Sequence, residues 1–375
     1  MNKHHRKNGI DRRGFLHHAF YGAALAALTP GCLMSMREPG EKLHLKTRYE
    51  AADGLGPVPL PPTRIYPPMP KAVVGIRGVG DSIEAAVREA VEAAGGIDEI
   101  ERGQTVMIKP NMCGPAVGDR IPGRITTNPE VIRAVIRMVK KRGAEVMLGD
   151  RSMFMTETAF RTSGFARVCK QEGAIAYPWT RAEYVRFYPK KRHWSHGFRF
   201  PKILTEVDHF ISVPLLKNHQ ATAAEYTCCL KAFVGVCLPL DRWQEGPDAF
   251  HTANISEKIA ELNLCVKPTI NIVDATEIMV RGGPDAMNKK TRLWAKPNLI
   301  IASKDRVACD SVAMAVLKRY GAENKVELPY VTKSVWDQAQ IYYAAELGIG
   351  QANPAMISIE DVKVPLIDEI KSSWV

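Results

Sequence analysis

Polar side chains follow five apolar segments of the sequence, at the points where these segments end. The residues are Lys109 and Asn111 after 105–108, Asp150 after 145–149, Lys217 and His219 after 209–214, Asp274 after 269–273, and Ser303 and Lys304 after 298–302. Three of the five ends supply a lysine, whose ammonium is a compact donor for phosphate or carboxylate. Because ligands of parallel sheets bind beyond the carboxyl ends of the strands, we expect these side chains to form one crevice for a small anionic substrate.

The residue types predict a role for each member of this site. Lys109 and Lys217 are expected to bind or polarise the anion, and His219 is expected to transfer protons. The predicted substrate-binding residues are Asn111, Thr126, Thr127, Asn128, Ser303 and Lys304. Asp150 and Asp274 offer the oxygen ligands that a divalent cation such as magnesium or calcium prefers. Taken singly, each residue also has a structural explanation, such as a helix cap or a turn.

Alternating strand and helix patterns must position these residues. Strands are predicted at 72–78, 105–111, 144–150, 209–214, 268–275 and 298–303, and several of them are apolar on both faces. A helix is predicted at 81–96, with Asp81 or Ser82 as its cap and two glycines as its end. This alternation predicts an α/β fold with a mainly parallel sheet flanked by helices.

The clearest predicted helix covers 128–143. Asn128 is a favourable N-cap, Pro129 suits the first helical position, and Glu130 complements the positive end of the helix dipole. The free backbone N–H groups at this helix start, beside Thr126 and Thr127, predict an anion pocket.

Residues 184–202 interrupt the alternation and are predicted to form an inserted basic hairpin. Aromatic residues alternate there with six lysines or arginines, which suits either a solvated hairpin face or contact with an anionic polymer or lipid headgroups. The 46% hydrophobic content supports a full core, and the net charge of +11 weakly favours anionic ligands. Nucleic acid is not expected as a partner, whereas contact with a membrane surface remains an alternative.

The first residues have the organisation of an export signal. A basic start precedes Arg12 and Arg13, and the apolar run at 19–28 is shorter than the roughly 20 residues that span a bilayer. The arginine pair resembles the twin-arginine translocation signal, although Asp11 stands where Ser or Thr is more usual. The resemblance implies the twin-arginine translocase as a partner, export in the folded state, and a periplasmic or membrane-associated location.

The predicted organisation is an export signal at 1–33, a proline-rich linker at 34–70 and a single α/β domain at 71–375. Seven prolines lie between Asp53 and Lys71, and they favour an extended spacer because proline fixes φ and lacks an N–H donor. Cys32 follows Gly31 as in a lipidation box, while ordinary cleavage and an uncleaved anchor are the alternatives.

Several ordered blocks between about 72 and 320 resemble the domain of unknown function 362 family, whose members are often labelled iron–sulfur centre proteins. The blocks are "VMIKPNM", "TTNPEVIRAVIRMVKKRGAEVMLGD", "VPLLKNHQ", "LKAFVGV", "INIVDATEIM" and "IASKDRVACDSVA". The recurrent positions of the family fall on Lys109, Asn111, Thr127, Pro129, Asp150, Lys217, His219, Lys231, Gly235, Asp274, Ser303, Asp305 and Asp310. Lys231 joins the substrate-binding set through this resemblance. Ala232 stands where many relatives carry Asn.

The cysteines leave open a second function class, an iron–sulfur or other metal-binding redox protein whose cofactor is inserted before export. The candidate ligands are Cys113, Cys228, Cys229 and Cys237. The sequence contains no CxxC motif, and the ferredoxin-like module that some relatives carry is absent, so buried thiols are the competing explanation. A third alternative is a binding module that uses the basic hairpin.

Overall fold

A computed structural model describes residues 48–49, 68–118, 121–189, 193–194, 196–219, 225–243, 250, 254–283, 292–361 and 371–372. These residues belong to one compact unit, Leu43–Val375. The predicted export signal, Cys32, most of the linker and the basic tip of the hairpin lie outside the described residues. The predicted division at 33 and 70 therefore stays a prediction.

The elements alternate along the chain as the sequence predicts. The strands are β1 Arg48–Tyr49, β2 Ala72–Gly78, β3 Thr105–Pro110, β4 Glu145–Leu148, β5 Ile175–Ala176, β6 Tyr184–Phe187, β7 Phe198–Pro201, β8 His209–Val213, β9 Leu215–Asn218, β10 Tyr226–Thr227, β11 Ile270–Arg281, β12 Leu293–Ala295, β13 Leu299–Ser303 and β14 Ile357–Asp361. The helices are α1 Ile83–Ala93, α2 Pro129–Lys141, α3 Thr156–Thr162, α4 Phe165–Glu172, α5 Cys229–Ala232, α6 Ile255–Leu262, α7 Arg306–Glu323, α8 Pro329–Thr332 and α9 Ala339–Glu346.

The main sheet has the order β14-β2-β13-β11-β8-β3-β4-β5. Neighbouring strands from β11 to β5 are parallel, and so are β14 and β2. Strand β13 runs antiparallel to both of its neighbours, with Asn271 opposite Ser303 and Ala275 opposite Leu299. The mainly parallel α/β fold is therefore confirmed, but the end of β13 lies at the opposite edge from the ends of β3, β4 and β8.

Alternate residues of the central strands pack into two apolar cores, one on each side of the sheet. In β3, Val106 and Ile108 join the core that contains α1, α2 and α4, whereas Met107 joins the core that contains α7 and the hairpin. This alternation follows from the two-residue period of a strand. It explains why the central strands are apolar on both faces.

Helix α2 has the predicted boundaries and cap. The Asn128 side chain accepts a hydrogen bond from the N–H of Glu130, and Pro129 occupies the first turn. The apolar face consists of Val131, Ile132, Val135, Ile136 and Val139, all buried. Burial of this face against the sheet places the helix start beside the end of β3 and beside Asp274, which lies within β11 rather than at its end.

The inserted hairpin is formed by the antiparallel strands β6 and β7. Its aromatic residues pack inward: Phe198 is fully buried, and its ring centroid lies 5.4 Å from those of Phe187 and Trp194. Among the described aromatic residues of the hairpin, Tyr188 is 45% exposed, whereas Phe187, Trp194, Phe198 and Phe200 belong to the core. Within the described part of the chain, every helix falls short of the length or apolar character that a bilayer-spanning segment requires.

Candidate functional site at the strand ends

A buried ion pair joins the ends of the adjacent strands β3 and β4. Lys109 Nζ lies 2.9 Å from Asp150 Oδ1 and also donates to the Pro110 carbonyl. Asp150 additionally accepts hydrogen bonds from the backbone N–H groups of Met112 and Arg151. Burial lowers the pKa of Lys109 and raises the pKa of Asp150, because both charged forms lose hydration, and their contact offsets part of this effect. The two pKa values are thereby brought closer together, which favours proton exchange within the pair.

A second lysine is held by the loop that follows β3. Lys217 Nζ donates to Asn111 Oδ1 and to the Ile125 carbonyl, each at 2.7 Å, and lies 3.9 Å from Cys113 Sγ. Asn111 is itself fixed by Thr127, whose hydroxyl accepts from the Asn111 N–H. The structure therefore brings together Lys217, Asn111, Cys113 and Thr127, as the strand-end pattern predicts. Cys113 is partly exposed.

The backbone N–H groups at the start of α2 are already hydrogen-bonded to side chains of the protein itself. Asp274 Oδ2 accepts from the Asn128 N–H at 2.7 Å, and Asp274 Oδ1 accepts from the N–H and the hydroxyl of Thr276. Asn128 Oδ1 meets the Glu130 N–H. The predicted free anion pocket at this helix start is therefore wrong, because Asp274 and the cap supply its acceptors.

Asp150 and Asp274 form no common cation site. The first carboxylate is paired with Lys109, and the second is saturated by backbone and hydroxyl donors. Burial raises the pKa of Asp274, while the hydrogen bonds from Asn128 and Thr276 oppose this shift. Neither aspartate belongs to a group of described residues with metal-ligand spacing.

Arg242, which the sequence analysis missed, lies beside the Lys109–Asp150 pair. It is 6% exposed, and its Nη2 donates to the Cys237 carbonyl at 3.3 Å, whereas its Nε has no hydrogen-bond partner among the described residues. Burial lowers the pKa of Arg242, and the nearby charge of Arg151 lowers it further, whereas the charge of Asp150 opposes this shift. Its electrostatic effect also lowers the pKa of Lys109.

Asp241, the neighbour of Arg242 in the chain, has another arginine as its partner. Asp241 is paired with Arg199 through Nη2–Oδ1 at 2.6 Å and through Nε, so it does not compensate Arg242. Within the described ranges, no carboxylate lies within ion-pair distance of Arg242. Arg242 sits in a 3-10 turn, Pro239–Trp243, that follows no strand, so the strand-end pattern contains no signal for it.

The backbone at Gly235 packs directly against the ion pair. A Cβ atom built on Gly235 would lie 2.6 Å from Asp150 Oδ1 and 2.9 Å from Lys109 Nζ. Both distances are shorter than a van der Waals contact, so only glycine allows the backbone to approach the pair this closely. We call Lys109, Asp150, Lys217 and Arg242 the strand-end site.

Ser303 and Lys304 do not reach this site. Because β13 is antiparallel to β11, Ser303 pairs with Asn271 at the start of that strand, and its hydroxyl donates to the Val73 carbonyl. Lys304 forms a half-exposed ion pair with Glu99. The expectation that three lysines converge is therefore corrected to two, since the sequence pattern carries no information on the direction of β13.

Three further residues predicted for the site, His219, Lys231 and Thr126, are buried, and the structure assigns them no role in the strand-end site. His219 and Lys231 are 5% and 7% exposed. The N–H of His219 donates to the Glu225 carbonyl, and Lys231 lies within α5. Thr126 is buried, and its carbonyl accepts from the Gly123 N–H. Proton transfer by His219 and substrate binding by Lys231 stay predictions.

Two of the four candidate cysteines form a separate cluster with an aspartate at the start of α5. Cys228, Cys229 and Asp310 place their ligand atoms within 4.8 Å of one another, and all three are fully buried. We call these residues the thiol–carboxylate cluster. Cys113 and Cys237 lie outside it, so the described residues do not assemble the four predicted ligands.

The thiol–carboxylate cluster does not fit an iron–sulfur cluster, which takes four thiolates. Burial raises the pKa of both thiols, so they stay protonated. Asp310 accepts from the N–H groups of Cys229 and Leu230 and from the hydroxyl of Tyr226. Its oxygens therefore already serve as the N-terminal cap of α5 and as the partner of a buried tyrosine.

Comparisons with known proteins found one matching family model and a similar curated protein. A model of the family described as Domain of unknown function (DUF362) matches residues 106–315, a range that contains the whole strand-end site. The thylakoid-associated protein sll1697 of Synechocystis sp. is 27% identical over 245 residues, which cover 63% of this chain and 70% of that protein.

Proposed function

The chain belongs to the family described as Domain of unknown function (DUF362), and we propose that it binds a small anionic ligand, a phosphate or a carboxylate, at the strand-end site. The observation that carries the proposal is Arg242. A guanidinium that is buried away from water without a counter-ion is costly. An anion that binds beside Arg242 would supply the ion-pair partner that the described residues do not provide, and it would accept from Nε, which has no hydrogen-bond partner among them.

The surroundings of Arg242 support an oxyanion as the ligand. Lys109 lies close enough to Arg242 for the charge of Arg242 to lower its pKa. A guanidinium and an ammonium together can contact two oxygens of one phosphate or carboxylate. Asp150 alone cannot neutralise both cations.

Conversion of the ligand would begin with Lys109. Its lowered pKa and its direct contact with Asp150 allow it to give up a proton to the carboxylate and to accept one from a bound substrate. Asp150 would hold the Lys109 ammonium in place before the transfer and would accept its proton. In this proposal Lys217 orients the loop after β3 through Asn111.

The direct test is equilibrium binding of inorganic phosphate and of succinate to the full chain. The Arg242→Gln variant is expected to bind the preferred anion at least tenfold more weakly than the wild type. Arg88→Gln, an exposed arginine on α1, is the matched control and should bind as the wild type does. Equal binding by the wild type and by Arg242→Gln, or no binding of any small anion, contradicts the proposal.

We further propose that the chain is exported by the twin-arginine pathway and acts in the periplasm or at a membrane. The support is the Arg12–Arg13 pair and the name of the thylakoid-associated relative. Replacing both arginines by lysine should keep the protein in the cytoplasm on cell fractionation. Arg6→Lys with Arg37→Lys, which changes two other arginines, should leave its location unchanged, and an unaltered location of the first variant contradicts export by this route.

A further inference from the structure

Exposed apolar side chains are concentrated at the sheet edge that carries the strand-end site. Phe154 and Met155 follow β4 and are 48% and 65% exposed, while Val117 and Ile121 follow β3 and are 57% and 41% exposed. Strands β3 and β4 are parallel neighbours, so both loops leave the same edge. We call these four residues the apolar loop tips.

The loop after β4 is held in an ordered conformation that displays its tip. The Ser152 hydroxyl donates to the Phe154 carbonyl, and Met155 adopts a left-handed conformation with φ of 52° immediately before α3. A non-glycine residue with positive φ is strained. The fold therefore tolerates strain while leaving Phe154 and Met155 in water.

The two loops are tied together through α3. The Ala116 N–H donates to the Thr162 hydroxyl at 3.0 Å, at the end of the helix that begins after Met155. A helix of this length is about 10 Å long. Val117 therefore lies about one short helix from Met155, and Ile121 belongs to the same inter-element segment after β3 as Val117.

Exposed arginines border the apolar loop tips. Arg161 lies in the last turn of α3, and Arg181 contacts Glu157 in the first turn at 3.3 Å while its side chain stays 72% exposed. Apolar tips bordered by arginines match the charge pattern of surfaces that enter the headgroup region of anionic bilayers. We propose that the apolar loop tips dock this edge of the protein onto an anionic lipid surface.

This docking would turn the strand-end site toward the bilayer, because the same loops follow the strands that carry Lys109 and Asp150. The inference does not require that the site bind any particular anion. It differs from a contact made by the basic hairpin, where Tyr188 is exposed but Phe187, Trp194, Phe198 and Phe200 are buried.

The test is a fluorescence measurement on the full chain with a tryptophan placed at a tip. Phe154→Trp is mixed with vesicles of phosphatidylglycerol and phosphatidylcholine that carry brominated acyl chains, which quench only indoles in contact with them. Met356→Trp is the matched control, because Met356 is exposed but precedes β14 at the opposite sheet edge. Since quenching is local, contact by residues before 48 does not imitate the signal.

Phe154→Trp is expected to gain quenching over the wild-type background, more with phosphatidylglycerol than with phosphatidylcholine alone, and Met356→Trp is expected to gain none. Phe154→Ser combined with Met155→Ser should weaken vesicle binding at least tenfold without lowering the melting temperature. Three results overturn the inference: no vesicle binding, equal quenching at both positions, or self-association of the wild type that the double variant abolishes. Loss of anion binding in Arg242→Gln without any change in quenching would not affect the inference that the apolar loop tips dock on lipid.

Discussion

Two buried polar clusters in this protein differ in how their charges are compensated. In the thiol–carboxylate cluster, backbone N–H groups and a tyrosine hydroxyl surround the single acid, Asp310. In the strand-end site, Asp150 neutralises Lys109, and Arg242 keeps a buried Nε without a partner in the described structure. The first cluster is complete within the fold, whereas the second has donors and positive charge left for a ligand.

The comparison distinguishes buried polar groups that stabilise the fold from buried polar groups that serve a ligand. A buried group whose hydrogen bonds are met by the chain stabilises a local geometry, here the start of α5. A buried group with unmet donors destabilises the free protein and is retained where a ligand completes it. Breaking a buried pair whose charges are met within the fold should therefore destabilise the protein, whereas removing the charge of Arg242 should not destabilise the ligand-free protein.

The largest effect is expected for Arg199→Gln, which breaks a complete buried pair. The Asp241 side chain is fully buried, and removal of its partner leaves an uncompensated carboxylate, which costs about 3–5 kcal/mol. Chemical denaturation of the variant beside the exposed Arg88→Gln variant measures the difference. A loss no larger than that of Arg88→Gln would show that the pair contributes little.

Asp310→Asn is expected to remove a pH dependence of stability. Burial raises the pKa of Asp310 from 3.8 to about 6 in the folded protein. The folded state therefore binds this proton more tightly than the unfolded state, and stability falls as the pH rises between these values, by about 3 kcal/mol in total. Denaturation curves at pH values of about 4 and about 7 should differ more for the wild type than for the variant. The same difference in both proteins contradicts this assignment.

Gly235→Ala is expected to affect both the ion pair and the ligand. The added methyl group crowds Lys109 Nζ and Asp150 Oδ1, and overpacking of this kind costs about 1–3 kcal/mol. Anion binding should weaken as well, because the methyl group occupies space beside the pair. Gly80→Ala is the control, since its Cβ would meet no atom within 4 Å. Unchanged stability and binding of Gly235→Ala would show that the Lys109–Asp150 pair does not contribute to the site.

The smallest effect is expected for Lys304→Ala. Its ion pair with Glu99 is half exposed on both sides, and such pairs contribute about 0–1 kcal/mol. Because Lys304 lies at the opposite sheet edge, anion binding should be unchanged. Titration of the variant with phosphate checks this directly, and a tenfold loss of affinity would restore Lys304 to the site.

The sequence predicts the elements of this fold well, because apolar periodicity and helix caps are local signals. Residues 72–78 form β2 as predicted, and Asn128 caps α2. Convergence of Lys109, Asn111, Asp150 and Lys217 follows from the rule for parallel strand ends.

Three features could not be predicted from local patterns. The direction of β13 depends on its neighbours in the sheet, so Ser303 and Lys304 were assigned to the wrong edge. The pairing of Asp274 with the start of α2 joins residues 146 positions apart. Arg242 reaches the strand-end site from a turn that is distant in sequence, and its importance lies in the partner that it lacks, which only the packed structure can reveal.

The central claim is that no carboxylate of the described residues forms an ion pair with Arg242 and that a bound ligand supplies this partner. The most direct measurement is the free energy of unfolding of Arg242→Gln and of the wild type, each with and without a saturating concentration of the preferred anion. Without ligand, the variant is expected to be as stable as the wild type or more stable, because an unpaired buried charge has been removed; with ligand, only the wild type should gain stability. A loss of several kcal/mol in the ligand-free variant, on the order of that expected for a broken buried pair, would contradict the claim.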